Sequence, residues 1–298
     1  MNLMNEKIEH LRRDFAILAH NYQRPEVQDT ADFVADSLDL AAYAMQTDRE
    51  HILMAGVTFM AETAAILSGK KVYMPDPSSS CPMASMCTRD MVIAAKRNHP
   101  DAGVVMYINT TAETKTVADV ICTSANAVKI VESMDSEEII FVPDANLASY
   151  VSRFSTKTII PIPANGHCAT HHMLTAEEIH LRRKEHTGAE VLVHPECRGE
   201  VIDVADFAMG TSGMVKHVRE SESESFIIGT EVGLLHRLKK ENPAKAFIPA
   251  SDFLVCPSMK MHTLEKIALQ MKMKENVVHV PEKIAEQARK PLLAMLGM

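Results

Sequence analysis

The chain contains no tryptophan, and aromatic residues fill only 5% of its 298 positions. Base-stacking platforms for single-stranded nucleic acid have little material here. The formal net charge of −8 offers no basic face to a duplex, an RNA or an anionic membrane. The opening run MNLMNEKIEHLRRDF is charged throughout and lacks the apolar core of a secretory signal. No stretch approaches the ~18 apolar residues of a membrane span. A cytoplasmic protein without nucleic-acid or membrane partners is expected. The six cysteines are scattered, with no CxxC pair, which argues against a disulfide framework, a zinc ribbon and a thioredoxin-like redox pair. Metal binding, catalysis and burial remain open to them.

What the chain does have is repetition. ADFVADS begins at Ala31, ADVICTS at Ala118 and ADFAMGT at Ala205, each 87 residues after the last. The apolar runs AILAHNY, VVMYINT and VLVHPEC place His20, Tyr107 and His194 on the same step. Cys81, Cys168 and Cys256 close KKVYMPDPSSSC, KTIIPIPANGHC and KAFIPASDFLVC, at spacings of 87 and 88. Beyond each cysteine stand a methionine (Met86, Met173, Met261) and then a threonine (Thr88, Thr175, Thr263) followed by acidic residues, the signature of a helix N-cap. Cys87, Cys122 and Cys197 have no counterparts in the other copies and read as buried thiols.

Within a copy, short β-branched runs alternate with helical patterns. In the second copy strands are expected at 104–109, 120–123, 138–143 and 158–163, and helices at 112–118, 125–134, 146–154 and 176–186. This alternation predicts an α/β fold of three repeated αβα parallel-sheet domains around a pseudo-threefold axis. The repeats span 14–100, 101–187 and 188–275. The segment 276–298, with one more strand and helix, completes the first.

Open α/β sheets bind ligands beyond the carboxyl ends of their strands. The residues there are His20-Asn21-Tyr22, Tyr107-Ile108-Asn109 and His194-Pro195-Glu196. Ser37, Ser124 and Thr211 come next, each just ahead of a helical pattern, where a capping hydroxyl and free N–H groups suit an anion. Three such places predict a substrate with several carboxylate or phosphate groups. If the axis is real, Cys81, Cys168 and Cys256 converge. They could form a zinc site with His167 or His171 as fourth ligand, or hold a [4Fe–4S] cluster with one open iron. Cys168 could also be a lone nucleophile beside a histidine, or all three could be core thiols. Tyr22, Tyr107, His171, His194 and Glu196 around them form an acid/base set suited to dehydration, condensation or enolisation.

ILAHNYQRPEVQDTADFVADSL, YINTTAETKTVADVICTSANA, NGHCATHH and VHPEC together resemble quinolinate synthase, in the right order over nearly the whole chain. The resemblance implies one [4Fe–4S] cluster held by Cys81, Cys168 and Cys256. It implies a transferase of NAD biosynthesis that condenses iminosuccinate with dihydroxyacetone phosphate to quinolinate, losing phosphate and water. His20, Ser37, Tyr107, Asn109, Ser124, His194, Glu196 and Thr211 would bind substrate. Tyr22 and Glu196 would move protons, with His171 a further acid/base candidate. An iminosuccinate-producing aspartate oxidase or dehydrogenase is the implied channelling partner. Two departures stand out: MGTSGM around Thr211 where relatives place a Ser-Thr-Gly run, and no C-terminal cysteine cluster. The competing resemblance is to diphthamide-synthesis enzymes, which cleave S-adenosylmethionine at a similar cluster; a non-enzymatic iron–sulfur sensor is the other alternative. AHNYQ, YIN and HPEC suit a small dicarboxylate rather than a protein substrate.

Overall fold

Three parallel four-stranded sheets, all with the same strand order, build the computed structural model, which describes residues 8–297. The first contains β1 (Phe15–His20), β2 (Phe33–Ala35), β3 (His51–Ala55) and β4 (Lys71–Tyr73) in the order β2-β1-β3-β4. Its helices are α1 (Pro25–Thr30), α2 (Ser37–Gln46), α3 (Thr58–Ser68) and α4 (Arg89–Asn98). The second has β5 (Gly103–Tyr107), β6 (Val120–Cys122), β7 (Glu138–Val142) and β8 (Thr158–Pro161), ordered β6-β5-β7-β8. It carries α5 (Ala112–Lys115), α6 (Ala127–Ser133), α7 (Ala145–Ser152), α8 (Ala169–His172) and α9 (Ala176–Glu185). The third has β9 (Glu190–Val193), β10 (Phe207–Ala208), β11 (Ser225–Gly229) and β12 (Ala246–Pro249), ordered β10-β9-β11-β12. Its helices are α10 (Gly199–Asp203), α11 (Thr211–Glu220), α12 (Leu234–Glu241) and α13 (Leu264–Met273); α14 (Glu282–Met295) follows.

The repeated letters have repeated jobs. Asp32, Asp119 and Asp206 each accept the backbone N–H fifteen residues earlier, of Ile17, Val104 and Val191, at 2.7, 2.8 and 2.7 Å. Each aspartate thus ties the entry of the second strand to the first. Lys70, Lys157 and Lys245 stand eleven residues ahead of the three cysteines and donate to carbonyls at or near the carboxyl ends of α2, α6 and α11. A cation there meets orphan carbonyls and the negative end of the helix dipole. Thr88, Thr175 and Thr263 cap α4, α9 and α13 as expected, Thr175 within a full capping box. The central strands are buried on both faces, which explains their unbroken apolar runs.

Two details depart from the sequence reading. The helix expected over 112–118 stops at Lys115, because Asp119 N must reach Val104 O, at 3.0 Å, to start the next strand. The segment after α13 adds no full strand. It makes one antiparallel bridge, Val277 to Tyr73 at the β4 edge, and α14 then packs on α3 of the first repeat and on β6 and α5 of the second.

The repeats close on one another pairwise. Arg24 Nε donates to Lys260 O at 2.8 Å, and Lys266 pairs with Asp76 at 2.6 Å, joining first to third. Ala112 N donates to Glu62 Oε2 at 2.9 Å between first and second. Arg153 and Asp203, 2.7 Å apart, join second to third. No helix among the described residues is long and apolar enough to cross a membrane.

Candidate active site

One cavity is lined from all three repeats, at the carboxyl ends of the strands. His20, Tyr22, Ser37 and Cys81 come from the first and Tyr107, Asn109, Ser124, Cys168 and His171 from the second. The third contributes His194, Glu196, Thr211 and Cys256. The lining holds the expected site residues apart from Asn21 and Pro195 at the strand ends and His167, a candidate fourth metal ligand. That ring lies outside the lining, with Nδ1 2.8 Å from Asn165 O and its face 4.2 Å from the His172 ring. The loop PANGHC that delivers Cys168 is folded tightly on the end of β7. A Cβ on Gly166 would sit 1.8 Å from Pro143 O, so only glycine fits.

The three hydroxyls expected to cap helices do not cap them. In α2 the cap is Asp36, which accepts from Leu38 N at 3.0 Å and Asp39 N at 3.1 Å, leaving Ser37 as the first helical residue. Ser124 lies in the turn before α6, where Asn126 bonds back to Thr123 N at 2.7 Å. Thr211 opens α11 behind Gly210, which has no side chain to satisfy the first-turn N–H groups. A Cβ on Gly210 would come within 2.7 Å of Ser124 Oγ, so a side chain there would have to displace that hydroxyl. Freed from capping, all three hydroxyls are available to the cavity they line.

His20 and His194 share one local geometry. Tyr22 N donates to His20 Nδ1 at 3.2 Å and Glu196 N to His194 Nδ1 at 3.3 Å, a bond from two residues ahead in each case. Each ring thus keeps its proton on Nε2; that of His194 faces Ser124 Oγ at 3.2 Å. Burial pushes His20 down to about 4 and His194 to about 3, the latter against the pull of Glu196. Both are neutral donors at physiological pH, not acids.

That burial sets an acid limit on stability. An unfolded histidine protonates below ~6.5, whereas His20 resists until about 4. The folded state is therefore at full advantage above pH 6.5 and loses it as pH falls toward 4. For His20 alone the loss is about 3 kcal/mol. Urea midpoints measured across this range are expected to fall, and His20→Asn is expected to flatten the fall. An unchanged slope in that variant would assign the acid sensitivity to other groups.

Glu196 is fully enclosed and would be pushed up by burial, but His194, His171 and the Tyr107 hydroxyl hold it well below the usual carboxylate range. Its Oε2 lies 2.6 Å from His171 Nδ1, and its Oε1 has no partner among the described residues. His171 Nε2 is 2.8 Å from Thr230 Oγ1, which is 2.7 Å from the Tyr22 hydroxyl. With Nδ1 donating to Glu196, a ring carrying one proton accepts from Thr230, and Thr230 accepts from Tyr22. A continuous proton path thus runs from Tyr22 to Glu196.

Thr230 escaped the sequence reading, as did Glu231, which lines the cavity and accepts Cys256 N at 3.1 Å. Both follow β11, in register with Gly56-Val57 after β3 and Pro143-Asp144 after β7. That 87-residue step carries the missed signal: the residues that the repeat singled out follow the first, second and fourth strands of each copy, whereas these follow the third.

The three cavity thiols are supported alike. Cys81 accepts backbone N–H bonds from Met83 and Ala84, Cys168 from His171, and Cys256 from Ser258 and Met259. Burial pushes Cys81 up to about 12 and raises Cys168 and Cys256, with Glu196 acting further on Cys81 and Cys168. Ionised together in one cavity, the three thiols would need a cation to neutralise them. Cys168, His171 and Glu196 also bring one ligand atom each within 4.8 Å of one another. Cys87, Cys122 and Cys197 are buried elsewhere.

Fold and cavity together define a three-sheet α/β enzyme whose polar, thiol-bearing site lies where the repeats meet. Its sequence matches the model of the quinolinate synthetase A protein family over residues 5–297, and the chain belongs to that family. It is 47% identical over 298 residues to the quinolinate synthase of Pyrococcus furiosus, covering 99% of this chain and 98% of the relative. The quinolinate synthase of Thermotoga maritima is 46% identical, with 99% of each chain covered. That of Methanothermobacter thermautotrophicus is 45% identical over 99% of this chain and 98% of its own.

Proposed function

We propose that this protein is a quinolinate synthase, condensing iminosuccinate with dihydroxyacetone phosphate to quinolinate with loss of phosphate and water. The observation that carries the reading is the threefold thiol set: Cys81, Cys168 and Cys256 in one cavity, each with backbone N–H groups on its sulfur. Hydrogen bonds of this kind accompany iron–sulfur ligation and tune the cluster. The donor set fits a [4Fe–4S] cluster held by these three thiolates. When bound, the cluster supplies an iron without a protein ligand, a Lewis acid for a departing hydroxyl. The names of the relatives support the same activity.

The chain's own residues account for binding and proton traffic. His20 presents Nε2–H to a carboxylate while its Nδ1 is occupied by Tyr22 N. Ser124, accepting from His194 Nε2, keeps its hydroxyl proton for an anionic oxygen. Ser37, Tyr107, Asn109 and Thr211 supply the remaining polar contacts around the two substrates. Glu196, ionised and with Oε1 unpartnered, takes the proton from the carbon or nitrogen that reacts. His171 steadies the charge on Oε2, and Tyr22 returns a proton through Thr230. Condensation and dehydration need such transfers in both directions. Iminosuccinate hydrolyses readily, so an aspartate oxidase or dehydrogenase is the proposed supplier and channelling partner. The cytoplasm is the proposed compartment.

The deciding measurement is iron and acid-labile sulfide per chain in protein isolated without oxygen, followed by assay with both substrates. About four of each is expected for a cluster of this type. Stoichiometric zinc without sulfide would move the metal to Cys168, His171 and Glu196 and overturn the cluster. A full cluster without quinolinate formation would overturn the reaction.

A further inference from the structure

The hydrogen-bond polarity of Thr211 is set from outside the cavity. Asn21, fully buried between His20 and Tyr22, donates from Nδ2 to Thr211 Oγ1 at 2.8 Å. The Oδ1 of the same amide accepts from an Arg237 guanidinium nitrogen at 2.9 Å. A guanidinium has only donors, so the amide has one allowed orientation; turned over, it would set NH2 against N–H. Arg237 is fixed in its turn, donating to Val34 O at 2.8 Å and, through Nε, to Glu241 at 2.7 Å. Next to Thr211, Ser212 Oγ donates to Asp39 at 3.1 Å and pins the start of α11 to α2. The Thr211 hydroxyl therefore accepts from Asn21 and meets no protein acceptor for its own proton among the described residues.

We propose that Asn21 and Arg237 are positioning residues that aim the Thr211 O–H into the cavity as a dedicated donor to an anionic oxygen of the substrate. The relay crosses two repeats: Arg237 on α12 and Thr211 on α11 belong to the third sheet, Asn21 to the end of β1. The inference rests on the reading of Thr211 as an anion-binding residue. Carboxylate and phosphate share the required chemistry, and separate titrations tell them apart.

The informative variant is Asn21→Asp. It keeps the size of the side chain and its bond to Arg237, but a carboxylate can only accept, so Thr211 must turn its proton to residue 21. In protein with its metal complement, the affinity for succinate or for glycerol 3-phosphate, whichever anion Thr211 serves, is expected to drop about tenfold or more. KM for the corresponding substrate rises with it, more than kcat falls, while metal content and melting temperature hold. In a Thr211→Val background, Asn21→Asp is expected to cost little further. An additive loss there would mean plain charge repulsion and overturn the relay. Arg237→Met leaves the amide free to turn and is expected to weaken the same anion several-fold; wild-type binding in that variant would overturn the proposal. If Thr211→Val weakens binding while Asn21→Asp does not, the relay is wrong and Thr211 keeps its place. If Thr211→Val changes neither affinity, the anion-binding role of Thr211 itself fails.

Discussion

Cys168→Ala, Cys81→Ala and Cys256→Ala are each expected to lose bound iron and at least a thousandfold of activity, while Cys87→Ala, Cys122→Ala and Cys197→Ala keep both. The contrast follows from surroundings, since all six are free thiols. The first three border the cavity and receive backbone N–H groups on sulfur at matching places in the three repeats. Removing any one leaves two thiolates, too few to hold a cluster of this type. Cys122, at the end of β6, and Cys197, in the turn after β9, have no exposed surface, and burial pushes both thiols far up. Their truncation costs core packing of about 1–2 kcal/mol, felt as a lower melting temperature and not as lost turnover. Iron content, activity and thermal midpoint across the six variants check this. A Cys168→Ala protein with full iron and turnover would remove Cys168 from the ligand set.

Glu196→Gln is expected to reduce quinolinate formation by about 10²–10⁴, the usual contribution of a positioned acid or base. Iron content should stay unchanged. The substitution preserves shape, and the amide oxygen still accepts from His171 Nδ1, so the geometry on that side survives. What changes is the Oε1 position, which now has no partner and becomes an NH2 unable to take a proton. The negative charge that faces His171 and His194 also disappears. Single-turnover product formation and metal analysis on the same sample separate the two effects. Turnover within tenfold of the unmodified protein would take Glu196 out of proton transfer.

Local chemistry was readable from the chain. Asp32, Asp119 and Asp206 recur because each closes a bond over fifteen residues, and Thr88, Thr175 and Thr263 recur because a cap acts within one turn. Such interactions leave marks at fixed short spacings. The strand-end residues were readable for the same reason, since the repeat places equivalent loops at equivalent points. The helix boundaries were less so: the turn after Lys115 answers to a strand pairing, not to helix propensity.

The chain by itself thus determined the triplication, the parallel α/β class, the matched thiols and the polar residues that would face them. Only the tertiary structure decided how those residues are arranged. It excluded His167, handed the capping of α2 to Asp36, inserted Thr230 between Tyr22 and His171, and laid α14 across two repeats. The physical reason is distance along the chain. Tyr22 and Thr230 are 208 positions apart and Asn21 and Arg237 216, and no local periodicity records a contact that exists only once three sheets have closed on a common centre. Charge state follows the same rule, because His20 and His194 are neutral donors through burial that the assembled repeats create.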